Sequence, residues 1–154
     1  EIRNLIHQTV YEMGIRYHSC GTYVCIEGPQ FSTKAESEVH KQSGFSIVGM
    51  TLFPEAKLAR EAEMCYANIS LVTDFDAWKE WEEVTNDAVV STVATNVANS
   101  RKVIKSLILK LSRRKIKCSC SSSLKKSLMT SSDKVMTSPH YKNVSLLIDK
   151  YFKK

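Results

Sequence analysis

Several kinds of segment are missing from this sequence. No signal-peptide pattern opens it, and no apolar run is long enough to span a bilayer, so a cytoplasmic location without a membrane partner is expected. Acidic residues nearly vanish after Ser100: from Arg101 onward there are 2, against 15 Lys or Arg. Up to Ser100 the balance is reversed, with 14 acidic and 7 basic residues, so the net charge of +6 hides two unlike parts. A basic end can bind nucleic acid or an anionic surface. No RNA- or DNA-binding motif accompanies it here, so a solvated helix face and tail is expected, with no nucleic-acid partner. Metal spacing is also missing. His7, His18, His40 and His140 make no ligand pattern with one another or with the cysteines, and no metal is expected.

What is present fits one domain with a core. The chain has 154 residues, 43% of them hydrophobic. It begins at Glu1, without a methionine and directly in a helical pattern, which predicts that the front of a longer protein is missing. Ile2, Leu5, Ile6, Val10 and Met13 recur at helical spacing and Gly14 is a stop, giving a helix over about 3–13. Residues 17–26 read as extended chain, broken by Gly28-Pro29. Thr33-x-x-Glu36 is a capping box, so a helix starts near Ser32 or Thr33 and stops at Gly44. Phe45 to Met50 reads as a second strand. Pro54 suits the first position of a helix running to about Met64. Cys65 to Val72 reads as a third strand. Val90, Val93, Val97, Ile104, Leu107 and Leu111 form one apolar stripe on a long helix, expected to be core or subunit contact. Residues 121–139 read as loop or short structure, and 143–152 as a short terminal helix. The alternation of helices and strands is α/β.

The third predicted strand delivers two carboxylates, Asp74 and Asp76. If the chain there is extended, both project to one side. Close carboxylates repel, which favours a proton on one of them. Asp-x-Asp alone is common, and an acidic loop is the plainer account. Its neighbours change the balance: Gly21-Thr-Tyr-Val-Cys-Ile-Glu-Gly-Pro-Gln-Phe-Ser-Thr-Lys-Ala-Glu-Ser37, then Gly49-Met-Thr-Leu-Phe-Pro-Glu55, then Cys65-Tyr-Ala-Asn-Ile-Ser-Leu-Val-Thr-Asp-Phe-Asp-Ala-Trp78.

In order and spacing these blocks resemble the C-terminal half of the methylthioadenosine phosphorylase branch of the trimeric purine nucleoside phosphorylase family. The resemblance covers about residues 1–111, leaving 112–154 as a basic C-terminal extension. It implies a three-layer αβα fold with a mixed twisted sheet. It implies phosphorolysis of methylthioadenosine to adenine and 5-methylthioribose 1-phosphate, with inorganic phosphate as co-substrate and no cofactor. Asp74 matches the acid that protonates the departing purine and contacts the substrate. Asp76 matches the acceptor for the exocyclic amine, which favours 6-amino over 6-oxo purines. Phe31 matches the aromatic on the purine face, and Val48 and Met50 the wall beneath base and ribose. Thr51 matches a phosphate ligand just ahead of a helix. Ser32 matches a residue lining the base site, and Val89 and Val90 fall where the family lines the methylthio pocket. Without the family, Phe31, Val48 and Met50 read as core, Ser32 as a helix cap and Thr51 as a turn.

Two departures stand out. Gln30 occupies a position usually held by Arg. The family's glycine-rich phosphate loop, an Arg-His pair and a further Thr would all precede Glu1. The resemblance also implies a homo-oligomer, a trimer or a dimer of trimers. Open alternatives are a purine nucleoside phosphorylase acting on adenosine, a catalytically incomplete chain serving as an interaction subunit, and a nucleic-acid module using the basic tail. Among Cys20, Cys25, Cys65, Cys118 and Cys120, the Cys118-Ser-Cys120 run is similar to the heat-adapted archaeal branch, which implies a bridge there. Cys65 is then a candidate partner for a cysteine ahead of Glu1. Free thiols throughout remain equally open.

Overall fold

The structure, a computed structural model, describes residues 1–76 and 85–152. Trp78, Glu80, Glu82, Glu83 and Val84 lie outside the described residues. The chain divides into two compact units. The first comprises Glu1–Phe53 and Ala67–Ile116, and the second Pro54–Tyr66 and Lys117–Lys154.

The first unit opens with α1 (Ile2–Glu12). Its stop is built on Gly14, at φ +64°. Gly14 N–H donates to Tyr11 O at 3.0 Å and Ile15 N–H to Val10 O at 3.3 Å, a paired closure that requires a left-handed residue. Ile15 then packs on the core beside Val10. β1 (Tyr23–Cys25) follows, then α2 (Lys34–Gln42), then β2 (Ile47–Gly49). The two strands are parallel, with Tyr23 opposite Ile47 and Cys25 opposite Gly49, so α2 is the crossover of a βαβ unit. The expected capping box is formed: Thr33 Oγ1 accepts from Glu36 N–H, and the Glu36 carboxylate accepts from Thr33 N–H at 2.7 Å. That last bond holds the Glu36 carboxyl below its usual range. α2 stops at Gly44 by the same paired closure, with Phe45 N–H donating to His40 O at 3.1 Å.

α3 (Leu52–Glu61) begins two residues before Pro54, which therefore sits in its first turn, where a missing N–H costs nothing. α4 (Asn86–Ser112) is capped by the Thr85 hydroxyl. It packs on α1 through Leu5, Val10, Val103 and Leu107, the buried cluster of this unit, with Tyr17, Ile69 and Leu111 around it. Lys110 Nζ reaches the fully buried Thr9 hydroxyl at 3.0 Å and pairs with Glu12. The expected stripe on α4 is split. Leu107 is core, whereas Val90 and Ile104 are 67% and 48% exposed.

The predicted strand over 65–72 does not form. β1 and β2 make a two-stranded sheet among the described residues. Of the run, Ile69 packs on the core while Leu71 and Val72 are exposed. β-propensity describes fitness for a pleated, half-buried surface, and here no third strand position is built. The α/β class holds through the β1–α2–β2 unit. No helix among the described residues is long and apolar enough to cross a membrane.

In the second unit, α3 ends by the same closure as α1 and α2, with one difference. The left-handed position is Glu63, at φ +55°, where the other two helices use glycine. Met64 N–H donates to Ala59 O at 2.8 Å and Glu63 N–H to Arg60 O at 3.1 Å. A non-glycine residue there costs about 1 kcal/mol or more in backbone strain. The side chain supplies what offsets it. The Glu63 carboxylate accepts from Leu124 N–H at 2.9 Å and from Tyr151 Oη, and pairs with Lys150. Ser123 Oγ adds a bond to Arg60 O at 3.0 Å. The tail thus folds around the end of α3, through a 3-10 turn at Cys120–Ser122, α5 (Ser132–Met136) and α6 (Tyr141–Phe152). The cysteines among the described residues are thiols, so the implied Cys118–Cys120 bridge is not formed in this structure, and the partner named for Cys65 lies ahead of Glu1, outside this chain. Within this chain Cys65 meets Cys118, thiol to thiol at 2.7 Å. Its thiol is pushed up to about 12, first by that hydrogen bond and then by burial.

Burial opposes ionisation of Glu63, but the bonds from Lys150, Tyr151 and Leu124 outweigh it and hold the carboxyl at about 2. A carboxyl depressed on folding contributes stability above its unfolded pKa of about 4.3 and loses it as pH falls through the folded value. The second unit is therefore expected to weaken from about pH 4.5 down to about pH 2. Hydrogen exchange of α6 amides across that window checks it. In Glu63→Gln this unit's acid sensitivity should flatten, and an unchanged profile would remove Glu63 from its control.

Candidate functional site

In parallel βαβ units, ligands bind beyond the carboxyl ends of the strands. Here β1 runs out into Ile26–Ser32 and β2 into Met50 and Thr51. The topology therefore places Phe31 and Ser32 at the same end of the sheet as Met50 and Thr51. Contact between the two exits is direct. A Cβ on Gly28 would come within 2.8 Å of Met50 Sδ, so the glycine is what lets the thioether lie against the first exit. Val48 and Met50 are half-buried, and Thr51 is exposed immediately before α3.

A cleft of about 250 Å³ opens at the first exit, lined by Ile26, Glu27, Gln30, Phe31, Ser32, Glu36 and His40. Phe31 is 85% exposed, a large aromatic surface with little packed on it. Two polar atoms of the lining, Ser32 Oγ and His40 Nδ1, are buried without a hydrogen-bond partner. Buried polar atoms are nearly always satisfied, so an orphaned pair in a cleft marks a place where a ligand or water supplies the missing bond. Gln30, the departure from the family pattern, belongs to this lining.

The two aspartates sit in a separate cluster. Asp74 accepts from Asp76 N–H at 2.9 Å and from the Thr73 hydroxyl at 2.6 Å. Asp76 has φ +59°, so the chain turns there and is not extended. The expectation that both side chains share one side of a strand thus fails. The side-chain-to-backbone bond across Asp74–Asp76 bends the chain instead. Asp76 is tied to α2, since Ser37 Oγ donates to its carboxylate at 2.7 Å. Ser37 is almost fully buried and one residue from Glu36 of the cleft. The aspartate segment is also held by α4, where Asn96 Nδ2 donates to Val72 O at 2.8 Å.

The structure thus groups Phe31 with Ser32, seats Met50 against Gly28, and joins Asp74 to Asp76. Val48, Met50, Thr51, Asp74, Asp76, Val89 and Val90 do not line the 250 Å³ cleft. Val89 and Val90 lie in the first turn of α4, with Val90 largely exposed. Sequence reasoning missed His40 and Ser37. For Ser37 a signal exists: it closes the first of the three motif blocks and lies four residues after the Thr33 cap, on the same face of α2.

A βαβ unit with its strand exits at one end and a paired-aspartate turn tied to the crossover helix defines an α/β protein. The chain belongs to the phosphorylase superfamily, whose family model matches residues 1–109. It is 39% identical over 153 residues to the S-methyl-5′-thioadenosine phosphorylase of Koribacter versatilis, covering 99% of this chain and 52% of that one. It is 46% identical over 131 residues to the enzyme of the same name from Hyperthermus butylicus, covering 83% and 47%. Among solved structures, a methylthioadenosine phosphorylase from an antarctic soil metagenomic library superposes with a TM-score of 0.85 at 36% identity, covering 95% of this chain and 52% of that one. A double mutant of adenosine/methylthioadenosine phosphorylase from Schistosoma mansoni, in complex with adenine, gives 0.71 at 34%, covering 79% and 49%. The chain spans about half the length of the curated relatives it matches.

The Ser37 bond is expected to fix the Asp74–Asp76 turn. Ser37→Ala should cost about 1 kcal/mol in chemical unfolding, the usual net value of such a bond. An unfolding free energy within error of the parent would show that Asp76 does not depend on it.

Proposed function

We propose that the complete protein cleaves 5′-methylthioadenosine with inorganic phosphate, without a cofactor. The observation that supports this reading is a parallel strand pair whose exits, in contact through Gly28 and Met50, carry Phe31-Ser32 and Met50-Thr51 at one end, with the Asp74–Asp76 turn tied to the intervening helix by Ser37. Relatives named for this reaction support it.

Phosphate oxygen attacks the anomeric carbon, the bond from that carbon to the purine nitrogen breaks, and its electron pair passes to the base. Positive charge builds on the sugar and negative charge on the purine, so groups that meet those charges lower the barrier. In this reading Asp74 is the general acid that hands a proton to the imidazole-ring nitrogen of the leaving base. Asp76 accepts from the 6-amino group, and the Ser37 hydroxyl holds its carboxylate in place. Phe31 offers its open face to the purine. Ser32 Oγ, with no partner among the described residues, is available to the base edge. Val48 and Met50 form the floor, and Val89 and Val90 the apolar surround of the methylthio group. Thr51 supplies a hydroxyl to phosphate at the amino end of α3, where anions are favoured.

We place the active protein as a homo-oligomer, a trimer or a dimer of trimers. Val90, Ile104 and Ile108 lie on one strip of α4 and are largely exposed, apolar surface that a second copy can cover. A second substrate, adenosine, is favoured by the dual name of the Schistosoma neighbour and is decided by the same assays.

The tests use the chain joined to the amino-terminal half of the Hyperthermus enzyme, assayed for adenine release. The 154-residue chain alone is expected to release none, and release would show that the phosphate site has been misplaced. In the joined protein, Asp74→Ala should lower kcat by roughly 10²–10⁴-fold with little change in KM. An unaltered kcat would take the acid role away from Asp74. Asp76→Asn should raise the kcat/KM ratio of inosine to methylthioadenosine, since an amide both donates and accepts. Sedimentation of the joined protein reads the assembly, and a fully active monomer would sink the oligomer.

A further inference from the structure

We propose that Cys65, Cys118 and Cys120 form a binding site for one soft d¹⁰ metal ion, Zn²⁺ or Cu⁺, that clamps the end of α3 to the tail within the second unit.

The three sulfur atoms all lie within 4.8 Å of one another. Around a tetrahedral zinc with bonds of 2.3 Å, thiolate sulfurs stand about 3.8 Å apart, and around a trigonal copper about 4 Å. The cluster therefore needs movements of only about 1 Å, chiefly an opening of the Cys65–Cys118 pair, to enclose an ion. Sulfur is the donor expected for Zn²⁺ and Cu⁺ and is a poor one for Mg²⁺ or Ca²⁺. No histidine or carboxylate joins the group among the described residues. That leaves a three-coordinate site suited to Cu⁺, or a zinc site whose fourth position is filled by water.

The histidine-based expectation of no metal could not reach this cluster. Cys65 and Cys118 are 53 residues apart and meet only through folding. The surrounding construction is what a ligand set needs. Glu63, two residues before Cys65, is locked by Leu124 N–H, Tyr151 and Lys150. Ser123 is bonded to Arg60 O. Both sides of the thiol cluster are thus fixed by hydrogen bonds outside it, in the manner of supporting partners that orient metal ligands. Loading is written without redox change: each thiol that binds releases one proton to solvent, and a site with three thiolates carries a net charge of −1 with Zn²⁺ or −2 with Cu⁺. Lys115, Lys117, Lys125 and Lys126 flank it in sequence and complement that charge.

The test uses the full 154-residue chain, reduced and desalted without oxygen. Zn²⁺ and, separately, Cu⁺ are titrated in against a chromophoric chelator, and the intact complex is weighed by native mass spectrometry. One equivalent is expected, and whichever ion binds with the higher affinity identifies the occupant. In the unmutated loaded chain, alkylation mapped by peptide should spare Cys65, Cys118 and Cys120 together while modifying Cys20 and Cys25. Cys65→Ser, Cys118→Ser and Cys120→Ser should each weaken binding by more than about tenfold, and Glu63→Gln by about tenfold at unchanged stoichiometry. Cys20→Ser and Cys25→Ser should leave it unaltered. Failure of the reduced chain to take up either ion, or alkylation of the three thiols at the rate of Cys20 after loading, overturns the site. So does recovery of the chain with two of these cysteines already joined as a disulfide and no metal.

Discussion

The first unit depends on the seating of α1 against α4. Leu5 and Val10 meet Val103 and Leu107, and the Lys110 ammonium reaches across to Thr9 and Glu12. Thr9 is fully buried, so its hydroxyl must be satisfied, and it both donates to Leu5 O and accepts from Lys110. This pins the register of the long helix. Register matters at the other end of α4, where Asn96 holds Val72 O and thereby the approach to Asp74. The geometry of the aspartate turn is thus set from two sides, by α4 through Asn96 and by α2 through Ser37.

Helix termination does comparable work throughout. Gly14 and Gly44 close α1 and α2 with the same pair of bonds, and the chain that leaves each stop is aimed into its next segment. At α3 the same geometry is imposed on Glu63. The strain is tolerated because the carboxylate has three partners in the tail, a case of local cost offset by a surrounding network. A glycine at that position would relax the backbone but release the tail. The conformation and the side chain are therefore one device, and Cys65 is placed by it.

The parts that were legible in sequence are those fixed within a few residues. The Thr33–Glu36 box, the glycine stops and the long fourth helix all depend on neighbours in the chain, and all appear near their expected bounds. The run from Cys65 to Val72 has the residue types of a strand, yet strand formation needs a neighbour, and none is built there. Ser37 to Asp76 and Cys65 to Cys118 span 39 and 53 residues, beyond any local pattern. The aspartates were found through their surroundings. Their turn was not, because one backbone angle at Asp76 decides it and Asp is among the residues that tolerate the left-handed region.

Apolar surface is the last constraint. Phe31, Val90, Ile104, Ile108 and Leu146 are exposed, while buried hydrophobic side chains are few among the described residues. Each uncovered aliphatic or aromatic side chain forgoes roughly 1.5–3 kcal/mol of burial. A chain with so small a core of its own gains stability wherever that surface is covered. For Phe31 the proposed function makes the cover a flat ligand, and its ring stands beside a cleft with orphaned polar atoms. For the α4 strip the oligomer proposed above would supply the cover, since its exposed residues follow helical spacing over several turns, a length that suits protein rather than a small molecule. The proposed ligand binding and assembly would therefore draw on the same resource, apolar area that folding of this chain alone leaves in water.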